Sequence, residues 1–193
     1  MAVYVSDSGG GNFTPHPEGQ YPARCIDVVD VGWVRTDYGP KAKVRLTFFC
    51  GETEEKTIDG EKVVMPLCVF STFGKTLNER GNLRPFLESW RSRVFTGDEL
   101  GRFDLEKLLN APAFIQIVHR QSNGNIYANV KTIMKLPPNM TAPDRPDDFE
   151  RACEREGWTG PAPHPDAQPS ENGEDTTDYS QVDPTDENDG LPF

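Results

Sequence analysis

The C-terminal stretch of this chain cannot supply a hydrophobic core, and that confines the fold to the residues before it. Residues 141–193 carry 15 Asp+Glu against 3 Lys+Arg, are rich in Pro and poor in aliphatics, and from Pro161 onward hold nine acidic residues and no basic one. Such a segment buries too little apolar surface to offset the entropy lost on ordering it. What is left of the 193 residues suits one domain.

The charge divides at the same place. Residues 1–140 hold 17 Lys+Arg against 16 Asp+Glu, a net of +1, whereas residues 141–193 are at −12. The acidity of the whole chain therefore belongs to the tail and does not argue against a nucleic-acid partner for the body. No apolar run approaches the ~20 residues of a membrane span. The first residues, MAVYVSDSGGGNF, lack the basic and apolar regions of an export signal. Cys25, Cys50, Cys68 and Cys153 show no CxxC spacing. These features fit a reducing, cytoplasmic setting without a membrane partner.

The pattern predicts a flexible arm over 1–18, a domain over 19–140, a linker over 141–160 with a short helix at 147–158, and a disordered acidic tail over 161–193. Within the domain, strands are expected at 23–31, 41–49 and 63–73, with a loop or hairpin tip at 51–61. Segment 41–49 alternates most clearly, with Ala42, Val44, Leu46 and Phe48 on one face. Leu83, Phe86, Leu87 and Trp90 form a helical stripe behind the N-cap candidate Asn82, and Thr96-Gly97-Asp98-Glu99 has capping-box spacing. A further short helix is expected at 104–109. Strands at 113–120 and 125–135 flank Asn123-Gly124, a hairpin signal. Three strands, a helical segment and a hairpin give the order of an OB-fold-like five-stranded barrel, mainly β; an open-sheet α+β domain is the alternative.

Enzymatic motifs are absent from the sequence. There is no Walker sequence, nucleophile elbow or HExxH, and the clustered carboxylates lie where geometry is not held. His16, His119 and His164 are scattered, and His119 reads as a structural histidine in a strand. The cysteines read as small buried hydrophobes. No catalytic residue, metal or cofactor is expected.

Cations interleaved with aromatics are the more informative feature. The second face of the 41–49 strand presents Lys41, Lys43, Arg45 and then Phe49; the last strand presents Tyr127, Asn129 and Lys131. Trp33, Arg35 and Tyr38 fall in the expected connection between the first two strands. Cations pair with phosphates and rings stack on bases of any sequence, the combination used to hold single strands. The chain then ends in Asp186, Glu187, Asp189, Leu191, Pro192 and Phe193, an acidic run closing on an apolar hook. An apolar pocket beside a basic ridge on another protein would take such a peptide.

The tip and the body together resemble single-stranded DNA-binding proteins. Residues 186–193 are similar to the Asp-rich Leu-Pro-Phe endings of the bacterial class, with Asn188 and Gly190 interrupting the acids. The body, in GQYPARCIDVVDVG, KVRLTFF and FDLEKLLNAPAFIQIVHR, resembles phage-encoded members. The resemblance implies sequence-independent coating of single-stranded DNA during phage replication, recombination or repair in the host cytoplasm. It also implies recruitment of a helicase, polymerase, nuclease or recombinase through the tip. A non-enzymatic phage adaptor that engages host proteins through the tip without coating DNA is the alternative, and homo-oligomer formation is left open.

Overall fold

The structure, a computed structural model, describes residues 14–166 except residues 59 and 123 and the side chain of residue 58. The five strands are β1 (Gly19–Thr36), β2 (Gly39–Ile58), β3 (Glu61–Gly74), β4 (Pro112–Ser122) and β5 (Asn125–Met134). Between β3 and β4 come α1 (Leu83–Arg91), α2 (Gly97–Gly101) and a 3-10 turn over Leu105–Leu108. The strands form one antiparallel sheet in the order β3-β2-β1-β4-β5. The protein is thus mainly β, a curled half-barrel consistent with an OB-like fold.

β1 makes the curl possible. Its first part, Gly19–Arg24, pairs with β4, and the strand from Arg24 to Thr36 pairs with β2. Register breaks between Cys25 and Asp27 and between Asp30 and Gly32 bend it from one half of the sheet to the other.

The first four strands are longer than their sequence signals, and β5 ends one residue short of its own. Residues 51–61, expected as a loop or hairpin tip, form the outer part of the β2–β3 hairpin: Thr53–Ile58 pairs with Glu61–Pro66 as a two-stranded arm. Charged side chains hide it from hydrophobic periodicity, and cross-strand partners such as Lys56 with Val63 and Thr57 with Lys62 hold it.

The inward face of β2 carries Val44, Leu46 and Phe48, which pack with Ile115 and Ile117 of β4 and with Leu87 and Trp90 of α1. Phe48 meets Trp90 edge-on, with centroids 5.4 Å apart, and the Trp90 indole donates to the Pro112 carbonyl. Asn82 occupies the N-cap of α1, but its side chain makes no capping bond. The capping box between Thr96 and Glu99 forms at α2.

Both ends of the described chain are more ordered than their composition predicts. His16 is buried edge-on to Tyr21, and its carbonyl meets Nε2 of His119 at 2.9 Å. The helix expected at 147–158 reduces to a 3-10 turn at Ala152–Glu154. Residues 141–166 instead form a strap on β1. Arg24 donates to the carbonyls of Pro143 and Ala142. The buried Asp27 carboxylate receives Arg151 and the Ala152 amide. Ala162 forms a parallel bridge with Gly32. These tertiary bonds outweigh the weak local helix preference.

Candidate nucleic-acid interface

Alternation along β2 sends Lys43, Arg45 and Thr47 outward while Val44, Leu46 and Phe48 go inward. On β3, Phe70 pairs with Thr47 and Thr72 with Arg45. Phe70 therefore sits diagonally beside Arg45, whose guanidinium lies 5.5 Å from the ring centroid. The ring is 50% exposed, large for a phenylalanine on a barrel. Sequence reasoning missed Phe70 because a phenylalanine in an apolar run reads as core; its place opposite Thr47 follows from the β2–β3 register, which the sequence does not display.

β3 and β5 are the two edges of the sheet, and a cleft of about 400 Å³ separates them. Phe70 and Cys68 line one lip, and Tyr127, Asn129 and Arg120 the other. Tyr127 and Asn129 share a face as expected, with Tyr127 opposite Arg120 across the hairpin. Lys131 is exposed beyond them at a bulge: the register passes from Val130–Ile117 to Thr132–Gln116, leaving Lys131 as the extra residue, while Ala128, Val130 and Ile133 take the inward positions.

Trp33, Arg35 and Tyr38 are not in a long connecting loop. Trp33 and Arg35 lie in β1, which pairs with β2 as far as Thr36 opposite Gly39, so only residues 37–38 turn. Thr36 Oγ1 donates to the Gly39 carbonyl and accepts from the Tyr38 amide, fixing the turn. Tyr38 is the most exposed large hydrophobic among the described residues, with the Lys41 ammonium 5.3 Å from its ring. Trp33 is half-buried against His164 of the strap, centroids 4.4 Å apart.

Phe49 is a correction. It is only 6% exposed and offers no face to a base. The strap enters over this part of the sheet: Arg24, the cross-strand partner of Phe49, holds the Ala142 and Pro143 carbonyls, and Ala142 is itself buried. Of the expected residues, Lys43 and Arg45 share the outer face of β2 with Phe70 alongside, and Tyr127 and Asn129 face Phe70 across the cleft. Trp33, Arg35, Tyr38 and Lys41 form a separate group at the β1–β2 hairpin tip.

A second groove, of about 470 Å³, runs along the outer face between β3 and the strap. Arg45, Phe70 and Met65 line its sheet side, and Phe149 and Arg155 its strap side. Phe149 has the Arg145 guanidinium 5.5 Å and the Arg155 guanidinium 5.9 Å from its ring centroid.

Cys153 is exposed, whereas the thiols of Cys25, Cys50 and Cys68 are withdrawn from water and are poor nucleophiles. Burial pushes Cys25 and Cys50 up to about 12 and Cys68 to about 11, so all three are protonated at neutral pH. His119 is engaged with the His16 carbonyl, and its amide donates to Glu18. Among the described residues no group of three or more His, Cys, Asp or Glu is placed to hold a metal ion, and no helix is long and apolar enough to cross a membrane.

No protein-family model and no curated protein matches the chain. The partner-binding candidates Asp186, Glu187, Asp189, Leu191, Pro192 and Phe193 lie outside the described residues.

Proposed function

We propose that the half-barrel is an OB-type, phage-encoded, non-catalytic domain that binds single-stranded DNA without sequence preference, and that the C-terminal tip recruits replication or recombination proteins to the coated strand in the host cytoplasm. The observation that carries the reading is the Arg45–Phe70 pair, a guanidinium beside a half-exposed ring on the outer face of the sheet. Lys43 lies on the same face of β2, and Tyr127 and Arg120 stand across the cleft at the β3–β5 edges. Cations beside exposed rings hold phosphates and stack bases at once, and stacking is indifferent to sequence.

Titration with oligo-dT and with a matched duplex, followed by tryptophan fluorescence across a salt series, tests it. Single-strand preference with an affinity falling steeply with salt is the expected result. Binding to neither, at low salt and also after removal of the acidic tail, would overturn it and leave the adaptor as the function to study.

A further inference from the structure

We infer that the strap is the second wall of the single-strand site, and that the groove between Phe70 of β3 and Phe149 of the strap seats a nucleobase. The inference rests on the single-strand reading above and adds to it a segment whose composition marks it as a linker.

Three observations converge on that groove. First, the strap is a fixed part of the domain. It is tied to β1 near its start by Arg24, in its middle by Asp27 and near its end by the Gly32–Ala162 bridge. A wall anchored at three points presents its side chains in a constant place, as a preformed site needs.

Second, the two walls carry the same chemistry. On the sheet side Arg45 lies beside the Phe70 ring, and on the strap side Arg145 and Arg155 lie beside the Phe149 ring. The Arg145 guanidinium also donates to the Phe149 carbonyl at 2.7 Å, which holds that residue's backbone. Arg155 donates to the Glu150 carbonyl and lines the same groove as Cys68 of β3. The strap thus leans over the strand that bears Phe70.

Third, the charged groups of the groove do not favour an anion. Asp27, Asp148 and Glu150 line it together with Arg45 and Arg155. This set gives no advantage to a run of phosphates, which would be repelled by the carboxylates. A base is neutral, presents donors and acceptors on its edge and offers two faces to aromatic rings. The phosphates would follow the outer cations of β2, with the base turned from them into the groove.

The test uses the full chain and fluorescently labelled oligo-dT, measured by anisotropy across a salt series. Phe149→Leu keeps apolar volume under the strap and removes the ring. It should weaken binding on the order of ten-fold while leaving the salt slope as in the wild type, and Phe149→Trp should restore affinity. Hydrogen exchange at the Ala152 amide, bonded to Asp27, reports that the strap stays in place in both variants. Wild-type affinity in Phe149→Leu, with Arg45→Ala weakened, would overturn the strap's role and leave the single-strand reading standing. Failure to bind oligo-dT at low salt, by the wild-type chain and by the chain cut after Asp166, would overturn both.

Discussion

Gly32 and Ala162 approach so closely that a Cβ on Gly32 would lie 2.2 Å from both the nitrogen and the carbonyl oxygen of Ala162. Two hydrogen bonds close the contact: Trp33 N–H to the Ala162 carbonyl at 2.9 Å, and Ala162 N–H to the Val31 carbonyl at 3.2 Å. Gly32 also has a φ of +75°, where a side chain is strained by itself. Gly32→Ala should therefore release the end of the strap. Trp33 would lose His164 as a neighbour, and its emission should shift to the red; unchanged emission would show that the contact yields without separating.

The middle of the strap depends on Asp27. Its side chain is 4% exposed and accepts from the Arg151 guanidinium and the Ala152 amide, and Arg151 also bridges to Glu106. Removing one partner of a buried pair leaves the other charge uncompensated. Arg151→Ala is expected to cost about 3 kcal/mol in urea unfolding, and a loss under 0.5 kcal/mol would mean that water replaces the guanidinium.

Arg45 and Phe49, on the same strand, should separate binding from stability. Arg45→Ala should weaken oligo-dT binding and lower the salt slope by about one, with the unfolding midpoint little changed. Phe49→Ala empties a buried site and should cost about 3–5 kcal/mol of stability. A Phe49→Ala protein that unfolds like wild type but binds weakly would reverse this assignment.

The charge division between body and tail predicts competition for the cationic face. Cutting after Asp166 removes eight acidic residues and no basic one, and it spares Ala162 and His164, which hold the strap. The truncated chain should bind oligo-dT more tightly at low salt, with the difference shrinking as salt rises. Equal affinity at all salt concentrations would exclude competition. Phe193→Ala should leave DNA affinity unchanged and abolish capture of a replication protein.

Two glutamates make the segment between β3 and β4 sensitive to acid. Glu88 is held below the ordinary carboxylate range by the Phe95 amide and then by Arg84, and Glu99 by the Thr96 amide and then by Arg91. A lowered folded pKa favours the fold above the unfolded-chain value, and that contribution is lost as pH falls through the folded value. Stability should therefore decline below about pH 4.5, and Glu88→Gln, less stable at pH 7, should show a shallower decline. Parallel pH profiles for the two proteins would remove Glu88 from the account.

The sequence alone determined the parts governed by neighbours along the chain. Alternation on β2 predicted which of its residues face inward, the helical stripe predicted Leu83, Leu87 and Trp90 as buried, and spacing predicted the Thr96–Glu99 box. These depend on local geometry, in which period and capping chemistry are visible in one dimension. Tertiary structure alone decided how the site is assembled. The β2–β3 register set Phe70 beside Arg45, packing left Phe49 buried, and the strap brought Phe149 and Arg155 to the outer face. Each of these turns on contacts between residues far apart in sequence. A cross-strand register, or a buried carboxylate recruiting an arginine 124 positions away, leaves no periodic trace in the segments it joins, because the energy that selects it exists only once both are folded.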